Sequence, residues 1–548
     1  LIYFLGKTDE TPDSTEIIKK KISSISIYDE EKNEVYYIKL NNNEFIENFK
    51  NIFESIEVKK IGYHLSEDYV LLKQIGINME NVYYDIEVAA YDLNSTMGTY
   101  TIEASSDLYL EIDANEYLPQ YEQDKKKNKQ ITLFQDEESN ENEKYVYGFK
   151  TYLIKRIHEE TYKKLEQNNL LDLFNNIEMP LVSVLGEMQV NGMRVDEASL
   201  RKFGDDLRAQ IDVLKKEIYE LCGEEFNINS TQQLGNILFE KLNLPVYKKT
   251  KNGYSTDVDI LEKLKKEHPV IEKILEYRSL MKLNSTYVEG LIPYINKKTG
   301  RIHSYFHQTI TATGRISSTE PNLQNIPTRV ELGKKLRKVF KPEEGYIFID
   351  ADYSQIELRV LAHISQDEHM VEAFKNDEDI HKQVASKVLG IPMDEVTKEQ
   401  RSSAKAVNFG IVYGISDFGL AEQLGISKKK AKEYIDQYLE KYSGIQKFMN
   451  DIVEDAKQKG YVETLYHRRR YITELSSNNY MVRQFGMRAA MNTPIQGTAA
   501  DIMKIAMIKV LKKLKDENLD AKLILQVHDE LMIECKIEDK EKVKDILK

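Results

Sequence analysis

The sequence predicts a multidomain protein of α/β and α+β class. Three observations carry that expectation. A chain of 548 residues exceeds what a single hydrophobic core organises. Residues 1–112 alternate strand-like and helix-like runs, the pattern of an α/β layer. From about residue 146 the periodicity becomes helical, with strand-like runs returning at 300–360 and near the C-terminus.

In the first region SSISIYD and EVYYIKL have the period-2 patterning of strands, and NEFIENFKNIFESI reads as a helix. KKIGYHL opens another strand, and SEDYVLLKQIG is a helix that stops at a glycine. Residues 113–144 are polar, charged and weakly periodic, which predicts a long exposed loop with a solvated lysine run. Helices follow from TYLIKRIHEE through ASLRKFGDDLRAQIDVLKKEIYELCG to NSTQQLGNILFEKL, where Asn229 and Ser230 are candidate N-caps. A basic, aromatic loop holds Lys248, Lys249, Lys251, Tyr254 and Ser255, and helix returns after it. RIHSYFHQ and YIFIDADYS read as strands flanking a Thr-, Ser- and Asn-rich loop. Residues 361–460 are mostly helical, and 486–515 read as one long helix interrupted near Pro494. Strand AKLILQV, an acidic turn HDE, strand LMIECKI and the start of a helix close the chain.

The formal net charge of −13 argues mildly against a nucleic-acid partner, unless basic groups gather on one surface. The two cysteines, Cys222 and Cys535, lack CxxC spacing, which disfavours disulfide frameworks and zinc sites and fits a reducing cytoplasm. No apolar run reaches 18 residues, so no membrane span is expected.

Two strand-borne acid groups stand out. One is Asp350 and Asp352 with Glu357 following; the other is His528, Asp529 and Glu530 between two apolar strands. Neighbouring carboxylates repel and hold protons more tightly unless a cation sits between them. Hard oxygen donors of this kind suit Mg²⁺. Period-2 spacing puts Phe348, Asp350 and Asp352 on one face, so it leaves the choice between the two aspartates open. Taken singly, each group reads equally well as a solvated strand end.

On the helix Thr397–Gly414, Arg401, Lys405, Phe409 and Tyr413 recur every four residues and form one slowly winding stripe. Two cations then two aromatics match a triphosphate followed by a base. The bland alternative is an amphipathic helix with solvated cations and core aromatics. The loop Thr311–Pro327, with Arg315, Asn322, Gln324 and Asn325, is dense in hydroxyls and amides that suit a sugar-phosphate backbone and minor-groove acceptors. Arg488, Asn492 and Gln496 form a further polar stripe.

Together and in this order, these motifs resemble those of the family A DNA polymerases, as found in the large fragment of bacterial members. DYSQIELR resembles the first palm motif, RSSAKAVNFGIVYG the fingers motif and QVHDE the second palm motif. TATGRISSTEPNLQNIP and RAAMNTPIQGTAADI match further signatures, and the similarity runs from about Glu178 to the end. The resemblance implies an exonuclease-like (ribonuclease H-like) α/β domain followed by a right hand of palm, fingers and thumb. It places the exonuclease-like domain at 1–155, thumb and connecting helices at 156–299, palm at 300–357 and 486–548, and fingers at 358–485.

The implied activity is DNA-directed DNA synthesis in replication and repair, by a monomer in the bacterial cytoplasm. Its partners would be primer–template DNA and deoxynucleoside triphosphates, with no membrane involved. Asp352, Asp529 and the carbonyl of Tyr353 would hold two Mg²⁺ ions, replaceable by Mn²⁺, in two-metal catalysis. The resemblance picks Asp352 over Asp350, and makes Glu530 a supporting acid. It has Arg401 and Lys405 grip the triphosphate, Lys405 protonate pyrophosphate, and His381 add a phosphate contact. Phe409 would pack on the incoming nucleotide, Tyr413 lie under the templating position, and Gln355 lie beside the nucleotide. Glu357 would exclude a ribose 2′-hydroxyl. Arg315, Asn322, Gln324, Asn325, Arg488, Asn492, Gln496 and His528 would touch DNA near the nascent pair, and Lys249, Lys251, Tyr254 and Ser255 would grip the duplex.

The first domain departs from the pattern of active exonucleases. LIYFLGK lacks the paired carboxylates of their first strand, and Phe149 stands where an aspartate would follow Tyr145. Asp68 and Asp85 persist, so a fold without proofreading is expected. The Leu1 start reads as that of a fragment of a longer chain, and the stretch after Glu530 reads as shorter than the family's usual further helix and strand. Two rival readings are weaker. A single-subunit RNA polymerase is disfavoured by Glu357, and a catalytically dead DNA-binding scaffold by Asp352, Asp529, Arg401 and Lys405.

Overall fold

The computed structural model describes residues 1–11, 15–40, 49–118, 136–251, 253–327, 331–412 and 414–548. They form two compact units: Leu1–Asn191 with Phe306–Ser318 and Gly345–Lys548, and Gly192–Tyr305 with Thr319–Glu344. Among the described residues no helix is long and apolar enough to cross a membrane.

The first unit begins with a five-stranded sheet in the order β3-β2-β1-β4-β5. Its strands are β1 (Ile2–Glu10), β2 (Lys20–Asp29), β3 (Glu34–Lys39), β4 (Lys60–Gly62) and β5 (Val82–Asp85). The first three pair antiparallel, as short connections allow. Strands β1, β4 and β5 are parallel, and the link between β4 and β5 carries α1 (Leu65–Gln74), the crossover such pairs require. Helix α2 (Ile86–Leu93) starts directly after β5, capped by the Asp85 side chain. Helix α3 (Asp136–Gln167) lies over the sheet, and α4 (Met179–Asn191) follows a π-helical turn at Phe174–Glu178. Tyr3, Phe4, Ile25, Ile61, Leu65, Tyr84, Leu153 and Ile157 fill one apolar core between these layers.

The same unit contains a three-stranded antiparallel sheet of β6 (Tyr346–Asp352), β7 (Ala521–Val527) and β8 (Glu530–Lys536), with β8 in the centre. Helix α5 (Ile356–Ser365) leaves the end of β6. Helices α6 (Ile380–Leu389) and α7 (Lys398–Val412) share a second core with Ile356, Leu358, Val384, Val407 and Tyr438. Helix α8 (Tyr480–Asp516) is the longest element at 37 residues.

The second unit is built on the helix Glu197–Cys222, whose buried Leu200, Leu207, Ile211, Leu214 and Ile218 recur at helical spacing. It packs on the helix Val270–Lys282. The Ser230 side chain caps Thr231–Asn236, so Ser230 rather than Asn229 is the N-cap.

Several expectations need correction. Residues 136–144 belong to α3 rather than to a loop, and Asp113 caps a short helix at Ala114–Tyr117; residues 119–135 lie outside the described residues. The helix expected from NEFIENF is seen at residues 49–53, its start lying outside them. RIHSYFHQ is two short strands, Arg301–Ile302 and Tyr305–His307. Helix α8 runs through Pro494 without a break. The proline removes one N–H bond, and the helix continues through it among buried neighbours. The basic loop is a small hairpin of Lys249–Thr250 and Gly253–Tyr254, and Glu331–Arg337 is a helix that the sequence reading did not separate. The acidic turn is two residues long: Glu530 already belongs to β8, and His528 adopts φ +51°. A left-handed first turn position suits the twist of a two-residue hairpin, though histidine is an uncommon occupant.

Candidate active site

The pairing register of the three-stranded sheet assembles the acid group. Asp352 stands opposite Glu530, and Glu530 opposite Val527, so the last residue of β6 meets the β7–β8 turn. One step further the Tyr353 N–H donates to the carbonyl of Asp529 at 3.0 Å. Asp350 faces Met532, two positions further along β8 and away from the turn. The sheet thus brings Asp352, Tyr353, Asp529 and Glu530 to one end. Asp352 is exposed and Asp529 half-buried. Burial raises the proton affinity of the Asp529 carboxyl, and the charges of Glu357 and Asp352 raise it further, against Arg315 and His528.

Glu357 lies in the first turn of α5 and is 5% exposed. Arg315 reaches across and donates to its carboxylate. Two residues assigned separately in the sequence, one to a sugar and one to DNA, therefore form one ion pair. Gln355 precedes α5 in the left-handed region, at φ +55°.

The stripe on α7 stands as predicted as far as Phe409; Tyr413 lies outside the described residues. Arg401 donates Nε to Asp379 Oδ2 at 2.6 Å, and Asp379 also caps α6 through the N–H groups of His381 and Lys382. Lys405 lies over the Phe409 ring at 5.9 Å, and His381 is 5.9 Å from the same ring. His381 is buried, which lowers its pKa to about 4, so its ring is neutral near pH 7 and pairs with the Asn408 amide at 3.0 Å.

Arg488, Asn492 and Gln496 are partly buried along α8. Gly414, at φ +65°, lets the Arg488 stem approach: a Cβ there would lie 2.7 Å from Arg488 Cγ. Asn492 Oδ1 is buried without a hydrogen-bond partner.

In the second unit Asn322 caps the short helix Leu323–Asn325 by accepting from the Gln324 N–H, and Tyr287 donates to the Asn325 carbonyl. Tyr254 packs on Phe239 at 5.0 Å with Lys249 over its ring at 5.5 Å, and Lys251 is exposed. Ser255 is buried and donates to the exposed Asp257 at 2.7 Å.

The sequence reading missed a buried ion cluster in the first unit. Arg468, 2% exposed, bonds Glu178 and donates Nε to Asp501 at 2.8 Å; its Nη1 is 3.4 Å from Asp92. Lys504 donates to Glu178 at 2.6 Å, and Thr464 to Asp501 at 2.7 Å. Burial opposes the Glu178 charge, yet Arg468 and Lys504 bring its pKa down to about 2. Burial and the Glu178 charge push Asp92 the other way, well above the carboxylate range. Burial likewise opposes the charges of Asp501 and Lys504, raising the pKa of the one and lowering that of the other. The signal was present in the sequence: Glu178, Asp501 and Lys504 are lone charges within apolar runs.

Comparison with known proteins places this geometry. The family described as DNA polymerase family A matches residues 197–548. The family described as DNA polymerase I, ribonuclease H-like domain, matches residues 14–116. The chain belongs to the family A DNA polymerases, with a ribonuclease H-like exonuclease domain preceding the polymerase domain. Among its relatives, DNA polymerase I of Caldicellulosiruptor bescii is 45% identical over 525 residues, covering 95% of this chain and 58% of that protein. DNA polymerase I of Bacillus subtilis is 48% identical over 494 residues, covering 90% and 55%. The chain thus spans under three-fifths of the length of these relatives. A solved structure, the POL domain of Pol1 from M. smegmatis in complex with DNA primer-template and dNTP, has a TM-score of 0.88 at 33% identity, covering 100% of this chain and 91% of that one.

Proposed function

We propose that this chain is a DNA-directed DNA polymerase that extends a primer 3′ end with deoxynucleoside triphosphates on a DNA template, as a monomer working in bacterial DNA replication and repair. The observation that carries the reading is the register that sets Asp352 against Glu530 and ties Tyr353 to Asp529.

Family A DNA polymerases depend on divalent metal in general. The donor set fits Mg²⁺, with Mn²⁺ as a substitute. Two carboxylates and a backbone carbonyl leave room for water and phosphate oxygens, and the strained protonation of Asp529 is what a cation relieves. Asp352, Asp529 and the Tyr353 carbonyl would hold the ions, beside Glu530. When bound, they supply Lewis acidity toward the primer hydroxyl and neutralise the departing pyrophosphate.

Arg401 and Lys405 grip the triphosphate, which must share or displace the Asp379 carboxylate now on Arg401. Lys405 gives the leaving pyrophosphate its proton. Neutral His381 offers a hydrogen bond rather than a charge, Phe409 packs on the incoming nucleotide, and Tyr413 supports the templating base. Glu357 occupies the space of a ribose 2′-hydroxyl. Arg315, Arg488, Asn492, Gln496 and His528 contact the primer–template, as do Asn322, Gln324 and Asn325. Lys249, Lys251, Tyr254 and Ser255 form the duplex grip. In domain terms, 1–155 is exonuclease-like, 156–299 thumb, 300–357 and 486–548 palm, and 358–485 fingers.

The exonuclease-like domain is read as inactive. The Asp85 carboxylate accepts from the N–H groups of His64, Leu65 and Glu87, which fills its lone pairs with backbone. Phe149 packs its ring on Tyr117 and Tyr145. Asp68 lies against Gly6 of the first strand, where no carboxylate stands.

Primer extension with Mg²⁺ tests both parts. Asp352→Ala or Asp529→Ala should cut extension about a thousandfold, the loss of several kcal/mol of transition-state stabilisation, while DNA still binds. Extension retained by either variant sinks the metal assignment. Shortening of an unextended primer by the wild type, lost in Asp68→Ala, overturns the inactive-exonuclease reading.

A further inference from the structure

Helix α2 of the exonuclease-like domain holds the segment that carries Arg315. Glu87, Tyr91 and Ser95 are spaced four residues apart, along α2 and just past its end. Thr309 donates to Glu87 at 2.6 Å, Tyr91 donates to the Thr311 carbonyl at 2.8 Å, and Ser95 shares its hydroxyl proton between the Ala312 carbonyl at 3.2 Å and the Arg469 carbonyl at 3.3 Å. The neighbouring residues are held as well. Gln308 donates to Glu178 at 2.7 Å, and Thr311 donates its hydroxyl to the Arg315 carbonyl at 2.7 Å. Gly314, at φ +87°, sits directly against Arg468: a Cβ there would lie 2.6 Å from Arg468 Nε. Glu87 in turn is fixed by His64 at 2.7 Å.

We propose that the exonuclease-like domain serves the polymerase centre as a positioning brace: α2, with Arg468, holds residues 308–315 in register so that Arg315 pins Glu357. The inference rests on Glu357 being the sugar gate. A gate that excludes a 2′-hydroxyl must stay in place; Arg315 tethers the Glu357 carboxylate, and the Arg315 carbonyl is tied to α2 through Thr311. Tyr91 and Ser95 are positioning residues, both buried. Their loss frees the segment, lets Arg315 drift and loosens the gate without changing the chemistry of nucleotide addition.

The test compares kcat/KM for a deoxynucleotide and the matching ribonucleotide in the whole chain. The variants are Tyr91→Phe and Ser95→Ala, singly and together, with Glu357→Ala as reference. Tyr91→Phe keeps the ring beneath Arg468, and neither substitution removes a charged member of the buried ion cluster. Deoxynucleotide kcat/KM should stay within about twofold, while discrimination against ribonucleotides falls about fivefold for each hydrogen bond lost. A global loss of stability would lower both rates and leave their ratio unmoved, so an unchanged ratio in the double variant overturns the brace when Glu357→Ala alone lowers it. An unchanged ratio in Glu357→Ala overturns the gate, and the brace with it.

Discussion

Asp68 shows how one buried acid sets a pH dependence. It is 6% exposed, and burial pushes its carboxyl up to about 8, with Glu67 and Asp85 adding and His64 opposing. An unfolded carboxyl titrates near 3.8, so folding favours the protonated form. The contribution to stability is therefore full below about 3.8 and is lost as pH rises through about 8. Asp68→Asn should match the wild type in unfolding free energy near pH 4 and exceed it by about 2–4 kcal/mol near pH 8, read from denaturant midpoints at constant m. Equal midpoints at both pH values would refute the shift. At this scale the sequence named Asp352 and Asp529 through their motifs. It could not pair Arg315 with Glu357, because the pairing depends on a loop and a helix 42 positions apart meeting in space.

Among elements, strands and caps were legible where pattern is local. Period-2 runs became β2 and β3, and Ser230 became a cap. The π-helical turns, the two-residue hairpin at His528 and the passage of α8 through Pro494 were not, since packing outweighs local preference there. The ion cluster ties three such elements: α2, the turn before α4, and α8. Replacing Arg468 with Met leaves Glu178 and Asp501 to share Lys504 and should cost about 3–5 kcal/mol in unfolding free energy. The exposed pair Lys457–Glu454 is the control, and its loss should cost under about 1 kcal/mol. A loss at Arg468 no larger than the control's would mean the cluster is not a stabilising tie.

At the scale of the whole molecule, the charge of −13 bears directly on the polyanionic substrate proposed for the chain. On the proposed function, a chain this acidic would bind DNA through local basic groups and against its long-range field, so affinity should fall at least about tenfold between 50 and 200 mM salt. Lys249→Ala and Lys251→Ala should each reduce the log–log salt slope by about 1, measured by fluorescence anisotropy. Affinity independent of salt would contradict a phosphate-gripping role. The long helix α8 has a further consequence. Its polar stripe of Arg488, Asn492 and Gln496 and its buried Asp501 and Lys504 lie on opposed faces, about 150° apart at 100° per residue. Substitutions between Gln496 and Asp501 alter chemistry locally. A single inserted residue there would turn one face against the other by about 100°. The spacing between these two groups is thus a phase as well as a distance, and tolerance to insertions and deletions should vanish along it even where tolerance to substitution does not.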